Sequence, residues 1–275
     1  MTGYRTNTLK QIVVSGRTAI GTGSHEARDA ATFHTIAAAG ADYVFIDLEH
    51  ASMSIETTAT LIWHCHGAGV TPLVRVPTPE RMWVTKILDA GGQSVLVPQV
   101  RDASDVRLLI ENAKYAPTGR RGAARYGSAA TNFAPVPDVG TYAEFANDNV
   151  FLGINVETPE AVENLEELLM PGLDFVNVGS QDLALLYGIG SAAGRRLFED
   201  ALAHVRNVCK QRGVARGSNP DNLDGVRQAM SWGANMITYA GLLTFLRRSL
   251  AEAVDVVRQA PGEAFAFPRI EKGQS

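Results

Sequence analysis

The chain has 275 residues, 25 Lys and Arg against 29 Asp and Glu, a formal net charge of −4 and a pI near 5.9. That length can bury a large core and fits one α/β barrel as readily as two smaller domains. With no basic stripe to neutralise phosphates, a nucleic-acid partner is excluded. No apolar run approaches the roughly 18 residues of a membrane span, and the N-terminus lacks a signal-peptide core, so the expectation is a soluble cytoplasmic protein. Cys65 and Cys209 lie far apart in helical patterns and are expected to be reduced and buried.

After a polar lead-in, 17–23 reads as a strand ending in glycines. A helical pattern over 25–39 stops at Gly40, and 42–47 (DYVFID) is a second strand. Then come a helix at 54–68, a strand at 71–76, a helix at 79–90, a strand at 93–97 and a helix at 103–115. Residues 116–147 break the rhythm with Gly, Pro and small polar residues, and a loop of that length is expected to serve function. The alternation resumes with strands at 150–156 and 174–178 around a helix at 159–170. A helix at 192–212, a strand at 213–216, a helix at 221–231, a strand at 235–238, a helix at 242–257 and an irregular tail, 259–275, complete the chain. Eight strand–helix units in one domain's length predict a single-domain (β/α)8 TIM barrel over 1–275, with its core at about 17–258. An open doubly wound sheet is the alternative, but no GxGxxG follows the first strand.

In a barrel, chemistry gathers where strands end at their C-termini. Strands 150–156 and 174–178 are parallel neighbours, so Glu157 and Asp182 emerge on one edge. Two adjacent carboxylates repel unless a proton or a cation lies between them. With no His or Cys nearby, oxygen-only ligands suit a hard divalent ion, Mg2+ or Mn2+. The same two residues read equally as helix caps. Other strand ends carry Asp47, Glu49, His50, Arg75, Gln99, Asn155, Gly179 and Gln181. Arg75, between Val74 and Val76, needs a partner, either Asp47 or Glu49 within the chain or a substrate carboxylate or enolate. His50 also reads as a residue at a helix start, Gln99 as a satisfier of loop backbone and Asp89 as surface charge. His64, Cys65 and His66 alternate on a helix and so do not face one another. No HExxH supports zinc, and no lysine falls on a predicted strand to form a Schiff base.

Taken together, FIDLEH at 45–50, LVRVP at 73–77, LDAGGQSVLVPQV at 88–100, RRGAAR at 120–125, NVETPEAVENL at 155–165 and VGSQDLA at 178–184 resemble the HpcH/HpaI aldolase family. These are metal-dependent class II pyruvate aldolases related to the citrate lyase β chain, and the resemblance covers about 17–258. It implies a TIM barrel, usually a homohexamer of dimers that exchange the C-terminal helix. It implies that Glu157 and Asp182 hold a divalent metal ion, Mg2+ or Mn2+, with Co2+ as a further option. Arg75 would contact the pyruvate carbonyl oxygen, His50 would be the catalytic histidine, and Asp47 the acid near it. Asp89 would pair with that histidine across a subunit boundary. Backbone N–H groups around Gly179, Ser180 and Gln181 would receive the pyruvate carboxylate, with Asn155 and Gln99 beside it. The implied reaction is reversible cleavage of a 4-hydroxy-2-oxo acid to pyruvate and an aldehyde. An oxaloacetate decarboxylase or an acyl-CoA lyase on the same enolate is the alternative. The chain departs from the family pattern at Leu48 (usually Gly), Asn155 (usually Gln) and GSQDLA (usually a GPxDLS-like turn), which bears on substrate range. Arg120, Arg121, Arg125 and Tyr126 of the long loop are candidates for binding the aldehyde portion, and Arg121 reads equally as a structural clamp.

Overall fold

The computed structural model describes residues 4–123 and 129–259, so Arg125, Tyr126 and the tail from 260 lie outside the described residues. Helix α1 (Thr8–Val14) precedes strand β1 (Ala19–Gly23). There follow α2 (Ala30–Ala38), β2 (Tyr43–Asp47), α3 (Ile55–Ala68), β3 (Thr71–Arg75), α4 (Arg81–Asp89), β4 (Ser94–Val97) and α5 (Ala103–Ala113). Beyond the long connection come α6 (Val139–Asn149), β5 (Phe151–Val156), α7 (Pro159–Glu163), α8 (Leu165–Leu168), β6 (Phe175–Val178), α9 (Ser180–Leu186) and α10 (Ala192–Arg212). β7 (Ala215–Ser218), α11 (Leu223–Ser231), β8 (Met236–Gly241) and α12 (Leu242–Gln259) complete the order. All eight strands are parallel, pair with their sequence neighbours, and close into a barrel where β8 meets β1. This is the TIM barrel expected from the sequence. From Leu243 the chain forms a separate unit, in which α12 carries Leu243, Leu246 and Leu250 on one helical stripe.

Strand alternation sorts the residues into two apolar layers. Tyr43, Phe45, Leu73, Leu96, Phe151, Phe175 and Met236 fill the barrel, with the Phe151 and Phe175 rings stacked 4.7 Å apart. A Cβ at Gly153 would overlap the Phe175 ring, so that position has to be glycine for the stack to form. Leu9 and Val13 of α1 join this cluster and plug the N-terminal end. The intervening residues, Val44, Ile46, Val74, Val95, Leu152 and Ile154 among them, face outward into the helix layer.

Several boundaries differ from the sequence expectation. α1 and α6 form in segments read as lead-in and loop, each started by a side-chain cap, Asn7 onto Lys10 N–H and Asp138 onto Gly140 N–H. The helix expected over 159–170 is two short helices meeting at Asn164. β7 starts two residues late because Gly213, at φ 67°, ends α10 in the left-handed conformation. Cys65 and Cys209 are free and buried. Among the described residues no helix is long and apolar enough to cross a membrane.

Candidate active site

Inward positions at the ends of β2 and β3 place Asp47 and Arg75 side by side, since the two residues are register partners. Arg75 donates from Nε to Asp47 Oδ1 at 2.8 Å and from Nη2 to Oδ2 at 2.6 Å. Its Nη1 lies 2.9 Å from Glu49 Oε2, and the guanidinium stands 5.4 Å from the centroid of the Phe45 ring. Asp47 is fully buried and also accepts from Glu49 N–H at 3.0 Å, which fixes the turn leading to His50. Burial alone would raise the Asp47 pKa, but the hydrogen bonds and charge of Arg75 outweigh it and hold the carboxyl below its ordinary value. Burial likewise opposes the Arg75 charge, and Asp47 overcomes it. The in-chain ion pair considered from the sequence is therefore present.

On the neighbouring arc, β5 and β6 pair Asn155 with Asn177. Asn177 Nδ2 donates to Asn155 Oδ1 at 2.9 Å, and Asn155 Nδ2 donates to Glu157 Oε2 at 2.9 Å. Gln99, held in the left-handed region at φ 54°, gives its backbone N–H to Glu157 Oε1 at 2.6 Å. Glu157 is not a helix cap, because Thr158 caps α7 by accepting from Ala161 N–H. A Cβ at Gly179 would overlap the Glu157 carboxylate, so Gly179 contributes space. Its own N–H is spent on Val156 C=O at 3.2 Å, which leaves Ser180 and Gln181, exposed at the start of α9, as the donors there. Asp182 lies in the first turn of the same helix.

The mouth therefore holds Asp47, Glu49, Glu157 and Asp182 around one paired guanidinium. Burial chiefly, then the charges of Glu49 and Asp182, push Glu157 above the ordinary carboxylate range; burial does the same for Glu49. Glu49 Oε2 is buried without a hydrogen-bond partner, its approach to Arg75 being an ion pair only. Surplus negative charge and oxygen-only donors fit a hard divalent cation. Among the described residues no three His, Cys, Asp or Glu side chains gather as a set that could hold a metal ion. A consequence follows for pH. As pH falls, Glu157 and Glu49 take up protons sooner than ordinary carboxylates and cease to attract a cation. The acid limb of kcat/KM is expected above the ordinary Glu value of about 4.3, moving to lower pH when divalent ion is raised. A limb that ignores the ion would separate these carboxylates from catalysis.

His50 stands exposed at this mouth with Nε2 3.8 Å from Glu49 Oε2. Asp89 does not share the mouth: it ends α4, on the side where strands begin, and receives Arg121 Nη2 at 2.7 Å. Arg121 is buried there, 4.9 Å from the Tyr115 ring centroid, which is the clamp role. Arg120 and Arg121 lie beside the end of α5, where Arg120 N–H donates to Glu111 C=O at 2.7 Å, away from Glu157 of the same chain. Glu49, the other partner considered for Arg75, sits beside it. Two residues went unassigned in the sequence: Asn177 supports Asn155, and His25, at φ 23°, packs its ring where Cβ atoms at Gly23 and Gly241 would otherwise be. Asn177 is legible as a polar residue between two valines at an inward position; His25 has no such signal.

A closed parallel barrel whose strand ends gather an arginine, a histidine and several carboxylates defines a TIM-barrel enzyme. The family model for HpcH/HpaI aldolase/citrate lyase matches residues 25–244. A hydroxypyruvate/pyruvate aldolase from Roseovarius nubinhibens is 33% identical over 237 residues, 84% of this chain and 89% of that one. A 4-hydroxy-2-oxo-heptane-1,7-dioate aldolase from Klebsiella pneumoniae is 32% identical over 184 residues, 65% of this chain and 68% of the other. The crystal structure of an HpcH/HpaI aldolase from Desulfitobacterium hafniense DCB-2 superposes with a TM-score of 0.86 at 29% identity, covering 92% of this chain and 98% of that one. The chain belongs to the HpcH/HpaI aldolase/citrate lyase family and is a carbon–carbon lyase of the aldolase kind.

Proposed function

We propose that the enzyme is a class II pyruvate aldolase that reversibly cleaves a 4-hydroxy-2-oxo acid to pyruvate and an aldehyde through the pyruvate enolate. The observation that carries this reading is Arg75, locked by Asp47 at the mouth beside the raised carboxylate of Glu157. Glu157 and Asp182 would hold a divalent cation, Mg2+ or Mn2+ with Co2+ as an alternative, which supplies Lewis-acid stabilisation of the enolate charge. Arg75 directs its remaining N–H groups to the ketone oxygen, where negative charge grows as the carbon–carbon bond breaks. Asp47 keeps the guanidinium in register, while Asn155 and the Gln99 N–H keep Glu157 from turning away. Ser180 and Gln181 N–H groups receive the substrate carboxylate; Gly179 serves them by leaving room. His50 carries the proton between the 4-hydroxyl and solvent. Among the described strands none carries a lysine, in keeping with an enolate rather than a Schiff-base route.

Asp89, paired with Arg121 on the opposite face of the chain's own barrel, would act at a mouth only on a second copy. The assembly proposed is the homohexamer of dimers exchanging α12, with 1–275 as one aldolase domain working in the cytoplasm. The curated relatives are named as aldolases, and the decarboxylase and acyl-CoA lyase alternatives are not favoured. Pyruvate release, read through lactate dehydrogenase, tests the reading across 4-hydroxy-2-oxo acids and oxaloacetate. The expected outcome is at least ~10-fold higher kcat/KM for one hydroxy-oxo acid. A preference of that size for oxaloacetate overturns it.

A further inference from the structure

Strands β2 to β6 each press bulky aliphatic residues into the core of the helix layer, and β7 contributes none. Gly217 faces inward, since a Cβ there would meet the Asn177 side chain inside the barrel. By the two-residue period Arg216 and Ser218 then face outward, where the neighbouring strand β6 offers Val176 and Val178. An arginine and a serine leave the space between β7, α10 and α11 unfilled, and an apolar cavity of about 300 Å3 results. That is the lower end of small-molecule pocket sizes.

The cavity's charge is one-sided. Phe198 and Leu202 of α10 and Trp232 after α11 form apolar walls, Arg206 and Arg216 supply two guanidinium groups, and none of the described residues lining it is acidic. Arg216 Nε is buried with no hydrogen-bond partner. Its Nη1 reaches only the carbonyl oxygens of Arg206 and Trp232, at 3.5 and 3.4 Å. Arg206 lies over the Trp232 ring at 4.5 Å from its centroid. Among the described residues neither guanidinium is in an ion pair. A half-buried guanidinium with unspent donors is costly unless an anion meets it, and its planar fork matches a carboxylate. We propose that this cavity, on the helix-layer side of β7 and bordering the mouth only at Ser180, is a second ligand site for a small organic carboxylate with an aliphatic or aromatic body. The carboxylate would sit on Arg216, and the body against Phe198, Leu202 and Trp232.

Isothermal titration of the full-length protein with benzoate, phenylacetate and octanoate, each beside its neutral amide, tests this. Divalent ion and saturating oxalate are present throughout to occupy the mouth. At least one carboxylate is expected to bind at about millimolar or tighter. Its amide is expected to bind at least ~10-fold more weakly, the size of a lost charged hydrogen bond, and Arg216→Gln to weaken the carboxylate equally. Ser218→Leu, which fills the cavity and leaves both arginines, should abolish binding, and it decides the matter if Arg216→Gln does not fold. No binding under these conditions, equal binding of acid and amide, or binding that survives Ser218→Leu overturns the proposal.

Discussion

Arg75→Ala is expected to lower kcat for pyruvate release by at least ~100-fold and to destabilise the fold by about 3–5 kcal/mol. The two losses have different origins. Turnover falls because a preorganised donor no longer faces the oxygen on which charge develops. Stability falls because Asp47, whose side chain is only 1% exposed, is left as a buried charge with backbone N–H groups of Glu49 and His50 as its remaining donors. Asp47→Asn in the Arg75→Ala background removes that stranded charge, so the double variant should regain much of the melting temperature and none of the turnover. Arg75→Lys keeps a charge but cannot make both Nε and Nη2 contacts, and should fall between. Thermal melts and initial rates on the four proteins check the scheme. Near-normal turnover in Arg75→Ala would show that the Asp47–Arg75 pair only holds the barrel mouth together.

The barrel was legible because its strands, buried on both faces, form short and largely apolar runs such as Tyr43–Asp47 and Phe151–Val156, each followed by a capped helical pattern. α1 and α6 were not, since short segments of ordinary propensity become helical through tertiary contacts: Asn7 bonds Gln93 C=O, and Tyr142 packs its ring against Tyr4 and Tyr115. Strand alternation also made the mouth readable. Asp47, Arg75, Asn155 and Glu157 are polar residues at inward positions near strand ends, where burial without a partner would be costly. What alternation cannot convey is how each residue contributes. Gln99 acts through its backbone N–H, Asn155 through Glu157, and Gly179 through an absent Cβ. The side of the long connection was within reach of topology alone, because a segment leading from helix to strand belongs to the N-terminal face.

Chelation of divalent ions is expected to stop pyruvate release, with Mg2+ or Mn2+ restoring it, and Gly179→Ala is expected to lower kcat/KM by ~100-fold or more without unfolding the protein. Glu157 is buried among like charges and raised in pKa, a state that favours either a proton or a cation; at neutral pH with metal present the cation prevails. Gly179 has φ −77° and ψ 72°, which alanine adopts, so backbone strain does not enter. The added methyl instead overlaps the Glu157 carboxylate and its Cβ. The carboxylate has to move, leaving the Gln99 and Asn155 donors and the side facing Asp182, and displacements of about 1 Å at a reacting centre cost on the order of 100-fold. The same variant should lose the rise in melting temperature that divalent ion gives the unmodified protein, a readout independent of turnover. Gly179→Ala with full activity and an intact metal-induced rise would mean that Glu157 is not the carboxylate that grips the ion, and turnover in excess chelator would remove the ion from the reaction altogether.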